Sequence, residues 1–130
     1  MSLSLNPISP ISELQVPSVR VHVNEVTDAT FEAEVLKSNV PVLVYFWAPY
    51  YPSNSHHCVT SAVEHVANNF NGKLKVVTLN VDANKQTTRD YLVHSIPKFI
   101  LFKEGQMVDR YLGAIMYLRA SLSFFVKKHI

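Results

Sequence analysis

The sequence predicts an α/β domain with a central mixed sheet of about five strands flanked by helices. Three patterns support this class: five consecutive apolar or aromatic residues at Val42–Phe46, helically spaced apolar residues after them, and two strand-like runs separated by Glu104-Gly105. The predicted element order is β-α-β-α-β-α-β-β-α. Crossover helices require parallel pairing of the early strands and a hairpin requires antiparallel pairing of the late ones, so the sheet is expected to be mixed.

Length and composition fit one domain, since 130 residues with 48% hydrophobic content are enough to build a core. Residues 1–18 contain prolines among serines and predict a flexible N-terminal tail, which leaves residues 19–130 as the domain. The net charge of +2 is spread along the chain and indicates no nucleic-acid partner. Neither a membrane span nor a signal peptide is recognisable, so we expect a soluble, cytoplasmic protein with no membrane partner.

The early elements alternate strand and helix. Val19–Val23 alternates apolar and polar residues, which predicts a strand with one buried face. In the helix that follows, Thr27 or Asp28 is expected to cap the N-terminus, and Phe31 and Val35 are expected to face the core. The apolar run after this helix is the expected central strand, covered on both faces.

The later elements are predicted from the same periodicities. A long helix has apolar residues at positions i, i+4, i+7 and i+11 and is expected to end at Asn71-Gly72. Lys75–Val81 predicts a strand, and a short helix should follow it to about Tyr91. Lys98–Tyr111 predicts a β-hairpin, and a final helix is expected over about Met116–His129.

Cys58 is the only cysteine, so the chain cannot form an intramolecular disulfide or complete a dithiol reaction alone. Its place beside the apolar stripe of the long helix favours a small buried side chain. The alternative is a reactive thiol, with the thiolate favoured by the positive helix end and by His57.

A weaker alternative is metal binding by the cluster His56, His57 and Cys58. Ligands on one helix are normally three or four residues apart, whereas Cys58 and His65 are almost two turns apart and the two adjacent histidines point in different directions. We therefore predict no metal and no cofactor.

Several segments resemble the thioredoxin family. In chain order they are Val42 to Ala48, Gly72-Lys73-Leu74, Leu79-Asn80-Val81-Asp82, Ile96-Pro97, Leu101 to Gly105 and Gly113-Ala114. The resemblance extends from about residue 19 to the end of the chain and implies the thioredoxin fold. It also implies a cis peptide bond at Ile96-Pro97, facing the start of the long helix.

The family carries a Cys-Gly-Pro-Cys sequence at the start of the long helix, and this chain does not. The turn here is about two residues longer. Counted back from the end of the helix, the family cysteines fall on Ser53 and His56; counted forward from the central strand, they fall on Tyr51 and Asn54. The family mechanism needs one thiol to attack a disulfide and a second to resolve the mixed disulfide, and neither alignment supplies them.

Two supporting positions of the family also differ. The resemblance places the family's buried aspartate at Tyr45 and its nearby lysine at Thr78. A buried carboxylate is costly unless it is paired or used, so its replacement fits a site that moves no protons.

From these replacements we predict a domain without dithiol–disulfide oxidoreductase activity that binds a protein or extended peptide partner. The expected contact surface combines the aromatic turn with the proline loop. Its residues are Trp47, Tyr50, Tyr51, Ile96 and Pro97. The alternative function is that of a single-cysteine thiol protein, a redox sensor or mixed-disulfide former, that uses Cys58.

Overall fold

A five-stranded sheet organises the computed structural model, which describes residues 23–49, 53–111 and 118–130, with the backbone alone for residues 53–57. The strands are β1 (Asn24–Glu25), β2 (Val42–Trp47), β3 (Lys75–Asn80), β4 (Lys98–Lys103) and β5 (Gln106–Tyr111). The helices of these ranges are a π-helix (Glu32–Leu36), α1 (Ser53–Asn69), α2 (Lys85–Asp90) and α3 (Leu118–Lys127).

The sheet is mixed and has the strand order β1-β3-β2-β4-β5. Strand β3 pairs in parallel with β1 and β2, while β4 pairs antiparallel with β2 and β5. Central strand β2 is apolar or aromatic throughout because its neighbours and the helices cover it on both faces. The predicted class, the mixed sheet and the C-terminal hairpin are confirmed.

The core has two layers, one on each face of the sheet. Alternate residues of β2 supply them, because successive side chains of a strand point to opposite faces. Leu43 and Tyr45 pack with residues of α1 and α3 in the first layer. Val44 and Phe46 pack in the second layer with Phe31 and other residues of the π-helix side.

The turns at two predicted boundaries have the backbone that the sequence indicates. Gly72 follows α1 with a φ of +86°, a left-handed conformation that glycine adopts at low cost. In the hairpin, Glu104 and Gly105 have φ values of 54° and 79°. A Cβ at Gly105 would lie 3.1 Å from the carbonyl oxygen of Leu36, so glycine also permits a close approach here.

The helix before β2 is a π-helix and not the α-helix that the sequence predicts. The N–H of Lys37 donates to the carbonyl oxygen of Glu32 at 2.9 Å, an i to i+5 bond that defines a π-helical turn. Phe31 and Val35 are buried as predicted.

Asp28 does not cap this helix, and that alternative of the prediction is wrong. Its carboxylate accepts hydrogen bonds from the hydroxyl and the backbone N–H of Thr87, at 2.6 and 2.9 Å. The carboxylate therefore serves α2, whose first backbone N–H groups need an acceptor. Thr27 instead accepts a 3.3 Å hydrogen bond from the N–H of Thr30 through its own hydroxyl.

Some predictions fall outside the described residues. The tail over residues 1–18, the boundary at residue 19 and most of the strand Val19–Val23 lie there, and the first described strand is Asn24–Glu25. The predicted start of the last helix at Met116 also lies outside, while its described part runs from Leu118 to Lys127.

Candidate functional site

The turn between β2 and α1 lies beyond the carboxyl end of the central strand, where α/β proteins place their chemistry. Strand β2 ends at Trp47 and α1 begins at Ser53. Tyr50 and Tyr51 lie outside the described residues, as do the side chains of residues 53–57. The two alternative alignments of the family cysteines, on Ser53 and His56 or on Tyr51 and Asn54, therefore stay predictions.

Beneath the turn, the two positions at which the resemblance places the family's aspartate and lysine are neighbours on adjacent strands. Tyr45 on β2 and Thr78 on β3 are direct register partners. Tyr45 is 1% exposed, and its ring stacks on Phe99 with a centroid separation of 5.3 Å and an interplanar angle of 21°. The position at which a carboxylate would be buried is thus held by an aromatic side chain that belongs to the core.

The other described residues of the predicted contact surface pack against opposite faces of the sheet. Trp47 is half-buried against the layer formed with α1 and α3, whereas Ile96 is half-buried against the layer on the π-helix side. Pro97 is buried, and the peptide bond before it is cis, as the resemblance implied. Whether these residues contact a partner stays a prediction.

One cation of the edge strand β5 supports the segment that precedes the cis proline. Arg110 on β5 donates to the carbonyl oxygens of Tyr91 and Leu92 at 2.6 and 3.0 Å. Directly after the proline, partial burial and the charge of Arg110 lower the pKa of Lys98 below its ordinary value. The cis-proline loop thus leads into β4, which begins with Lys98, and the second cation, Arg110, lies on the neighbouring strand β5.

Cys58 is exposed, so the expectation that it is a small buried side chain is wrong. The core side of α1 is formed by its neighbours Val59 and Val63, at 0% and 1% exposure. Cys58 instead shares a helix face with Ser61 and His65, which follow it at i+3 and i+7. Those two polar residues are the sequence signal for its exposure.

The face around Cys58 also carries a cation from the last helix. Arg119 of α3 donates from Nη2 to the hydroxyl oxygen of Ser61 at 2.9 Å. Ser61 lies one helical turn beyond Cys58, so the guanidinium is held on the same side of α1 as the thiol.

The structure offers no candidate metal site among the residues that it describes. In the ranges 23–49, 53–111 and 118–130, no three His, Cys, Asp or Glu side chains converge in a way that could hold a metal ion. The side chains of His56 and His57 lie outside that search. Among the same residues, no helix combines the length and the apolar character needed to cross a bilayer.

Comparison with known proteins decides the family. The family model described as Thioredoxin matches residues 22–128. The chain belongs to the thioredoxin family.

Individual thioredoxins resemble the chain over most of its length. It is 43% identical over 106 residues to thioredoxin 1 of Nostoc sp., a match that covers 82% of this chain and 95% of the relative. It is 38% identical over 109 residues to the thioredoxin of Pseudomonas aeruginosa, covering 84% and 97%. It is 36% identical over 110 residues to the thioredoxin of Haemophilus influenzae, covering 85% and 96%.

These relatives overturn the functional prediction made from the sequence. We predicted a binding domain without redox function because the family's two cysteines are replaced. Thioredoxins at 36–43% identity over most of the chain indicate a redox function instead, so that prediction is wrong. The alternative prediction was a thiol protein that acts through Cys58. It agrees better with membership of the thioredoxin family and with the exposure of this thiol.

Proposed function

We propose that this thioredoxin family member takes part in thiol–disulfide exchange through Cys58 alone. The observation that carries the proposal is the exposure of the chain's only thiol, near the start of the helix that follows the central strand. An exposed thiol at this position can be reached by a disulfide of another molecule.

The chemistry needs a second molecule at each step. The Cys58 thiolate attacks one sulfur of a partner disulfide, a new S–S bond forms to that sulfur, and the other sulfur leaves as a thiolate. Because the chain has one cysteine, the mixed disulfide is resolved by a thiol from outside. The protein would therefore form a mixed disulfide with one partner and release that partner's thiol group to a second one.

The charge beside the thiol favours one class of partner. Arg119 is exposed and is hydrogen-bonded to Ser61, which lies one turn of α1 beyond Cys58, so it can attract carboxylates carried by an incoming disulfide. A small disulfide that bears carboxylates, such as glutathione disulfide, is the class that this arrangement supports.

The first experiment follows adduct formation by intact-protein mass spectrometry. The folded protein, incubated with glutathione disulfide, should gain one glutathione, and excess dithiol should remove it. Cys58→Ser should gain none. Modification that occurs only after denaturation would contradict the proposal, since the thiol would then be inaccessible in the folded protein.

A second arm tests the role of Arg119. Arg119→Gln should slow adduct formation with glutathione disulfide by about 1.4-fold to fivefold, since an exposed charge pair is worth about 0.2–1 kcal/mol. Exchange with the uncharged hydroxyethyl disulfide should keep its rate. Lys127→Gln, at the far end of the same helix, is the matched control and should change neither rate.

A further inference from the structure

A pocket of about 200 Å³ opens between α1 and the two strands β2 and β3. Five of the side chains around it carry polar or aromatic groups. They are Tyr45 and Trp47 of β2, Thr78 of β3, and Thr60 and Glu64 of α1. Nothing in the exchange chemistry of Cys58 uses these groups.

The backbone fixes this arrangement. Tyr45 and Trp47 are two residues apart on β2 and therefore point to the same face of the sheet. Thr78 is the cross-strand partner of Tyr45. Thr60 and Glu64 are separated by one turn of α1, so they lie side by side above the strands.

The pocket contains one carboxylate, which belongs to Glu64. In the part of the chain that the structure describes, the ion pairs join Glu32, Glu34 and Asp109 to cations, and no Lys, Arg or His lies within salt-bridge distance of Glu64. Glu64 is partly buried, and a partly desolvated carboxylate is stabilised by an opposite charge.

We propose that this pocket binds a small organic cation, with Glu64 as its counter-ion and with the half-buried ring of Trp47 as its aromatic wall. Aromatic rings attract cations through their π-electrons, most strongly Trp, and this combination with a carboxylate selects ammonium groups. The volume is below the range of about 300–1,000 Å³ that is usual for drug-sized ligands, so the occupant is a compact ion such as an alkylammonium.

The pocket is separate from the proposed exchange site. At 3.6 residues per turn, Cys58 and Thr60 are about 200° apart around the axis of α1. A failure of the cation proposal would therefore leave the Cys58 proposal unaffected, and the reverse also holds.

The test uses Trp47, the only tryptophan of the chain, as a fluorescent reporter inside the pocket. Choline chloride is titrated into the protein at constant ionic strength. A separate titration uses 3,3-dimethyl-1-butanol, the uncharged isostere of choline. We expect a saturable fluorescence change with choline and affinity for the isostere at least about tenfold weaker, because only the cation pairs with Glu64.

Variants assign the binding to this pocket. Glu64→Gln should weaken choline binding at least about fivefold, and Thr60→Leu should abolish it by filling the pocket. Glu32→Gln, which removes an exposed glutamate on the π-helix, should leave it unchanged. The proposal is overturned by equal affinity for choline and the isostere, by unchanged affinity in Glu64→Gln, or by the absence of saturation in the wild-type protein.

Discussion

Leu92 has a backbone conformation that its side chain disfavours. Its φ of 56° lies in the left-handed region, where a Cβ costs about 1–2 kcal/mol. Its side chain is 61% exposed, so burial offsets little of this cost. The guanidinium of Arg110, bonded to the carbonyls of Tyr91 and Leu92, helps to hold the strained turn ahead of the cis proline.

Leu92→Gly should therefore raise the free energy of unfolding by about 0.5–1 kcal/mol. Glycine removes the steric cost, and the larger entropy of its unfolded chain cancels part of the gain. Urea unfolding measures the change. Leu92→Ala is the control, because it shortens the side chain but keeps the Cβ; an equal gain in that variant would show that the exposed leucine, and not the backbone, is the source.

Cys58 shows, at the same scale, what a residue pattern can and cannot predict. The prediction of burial rested on the adjacent apolar stripe of α1 and is wrong, whereas the polar residues Ser61 and His65 on the same helix face are the signal that predicts exposure. The cation held at Ser61 could not be predicted, because Arg119 is 58 residues from Ser61 in sequence and reaches it only through the packing of α3 on α1.

Among the elements, strands and long helices were predictable because their periods of 2 and 3.6 residues are distinct. The π-helix was not, since the buried residues Phe31 and Val35 have a spacing that an α-helix shares. The cap of α2 was not predictable either. Its acceptor, Asp28, is 59 residues from Thr87, and only the folded sheet brings the two together.

The six-residue helix α2 should depend on that distant carboxylate. Asp28→Ala removes the acceptor for the N–H and hydroxyl of Thr87 and should cost about 1 kcal/mol in urea unfolding, as lost N-terminal caps do. Asp82→Ala, at another exposed aspartate, should cost much less.

A double-mutant cycle shows whether the cap is responsible. Thr87→Val removes the hydroxyl donor, and its cost should be smaller in the Asp28→Ala background than in the wild-type protein. Strictly additive costs would mean that the two side chains stabilise the fold independently.

Across the whole molecule, two aspartates connect elements that are distant in sequence through side-chain hydrogen bonds. Asp28 joins the segment before the π-helix to α2, and Asp109 of β5 joins the C-terminal end of α3 through a 2.8 Å contact with His129. The pKa of each aspartate is lowered. The main cause for Asp28 is the hydrogen bond from the hydroxyl of Thr87, and the main cause for Asp109 is the hydrogen bond from His129. Both therefore bind protons more weakly in the folded protein than in the unfolded chain.

This difference sets the direction of the acid response. Above the ordinary aspartate value of 3.8, both groups are ionised in either state and their stabilisation is complete. As the pH falls below that value, the unfolded chain takes up protons first, and the stabilisation is lost progressively until the folded carboxyls are protonated too. The free energy of unfolding should therefore decrease with falling pH in this window.

Urea unfolding between about pH 6 and about pH 2.5 tests this response. The double variant Asp28→Asn with Asp109→Asn should be less stable at pH 6 and should lose less stability on acidification than the wild-type protein, since it lacks both linked carboxyls. Asp82→Asn should keep the wild-type profile. If the double variant loses as much stability as the wild type, the acid response arises from other carboxylates and not from the hydrogen bonds of Asp28 and Asp109.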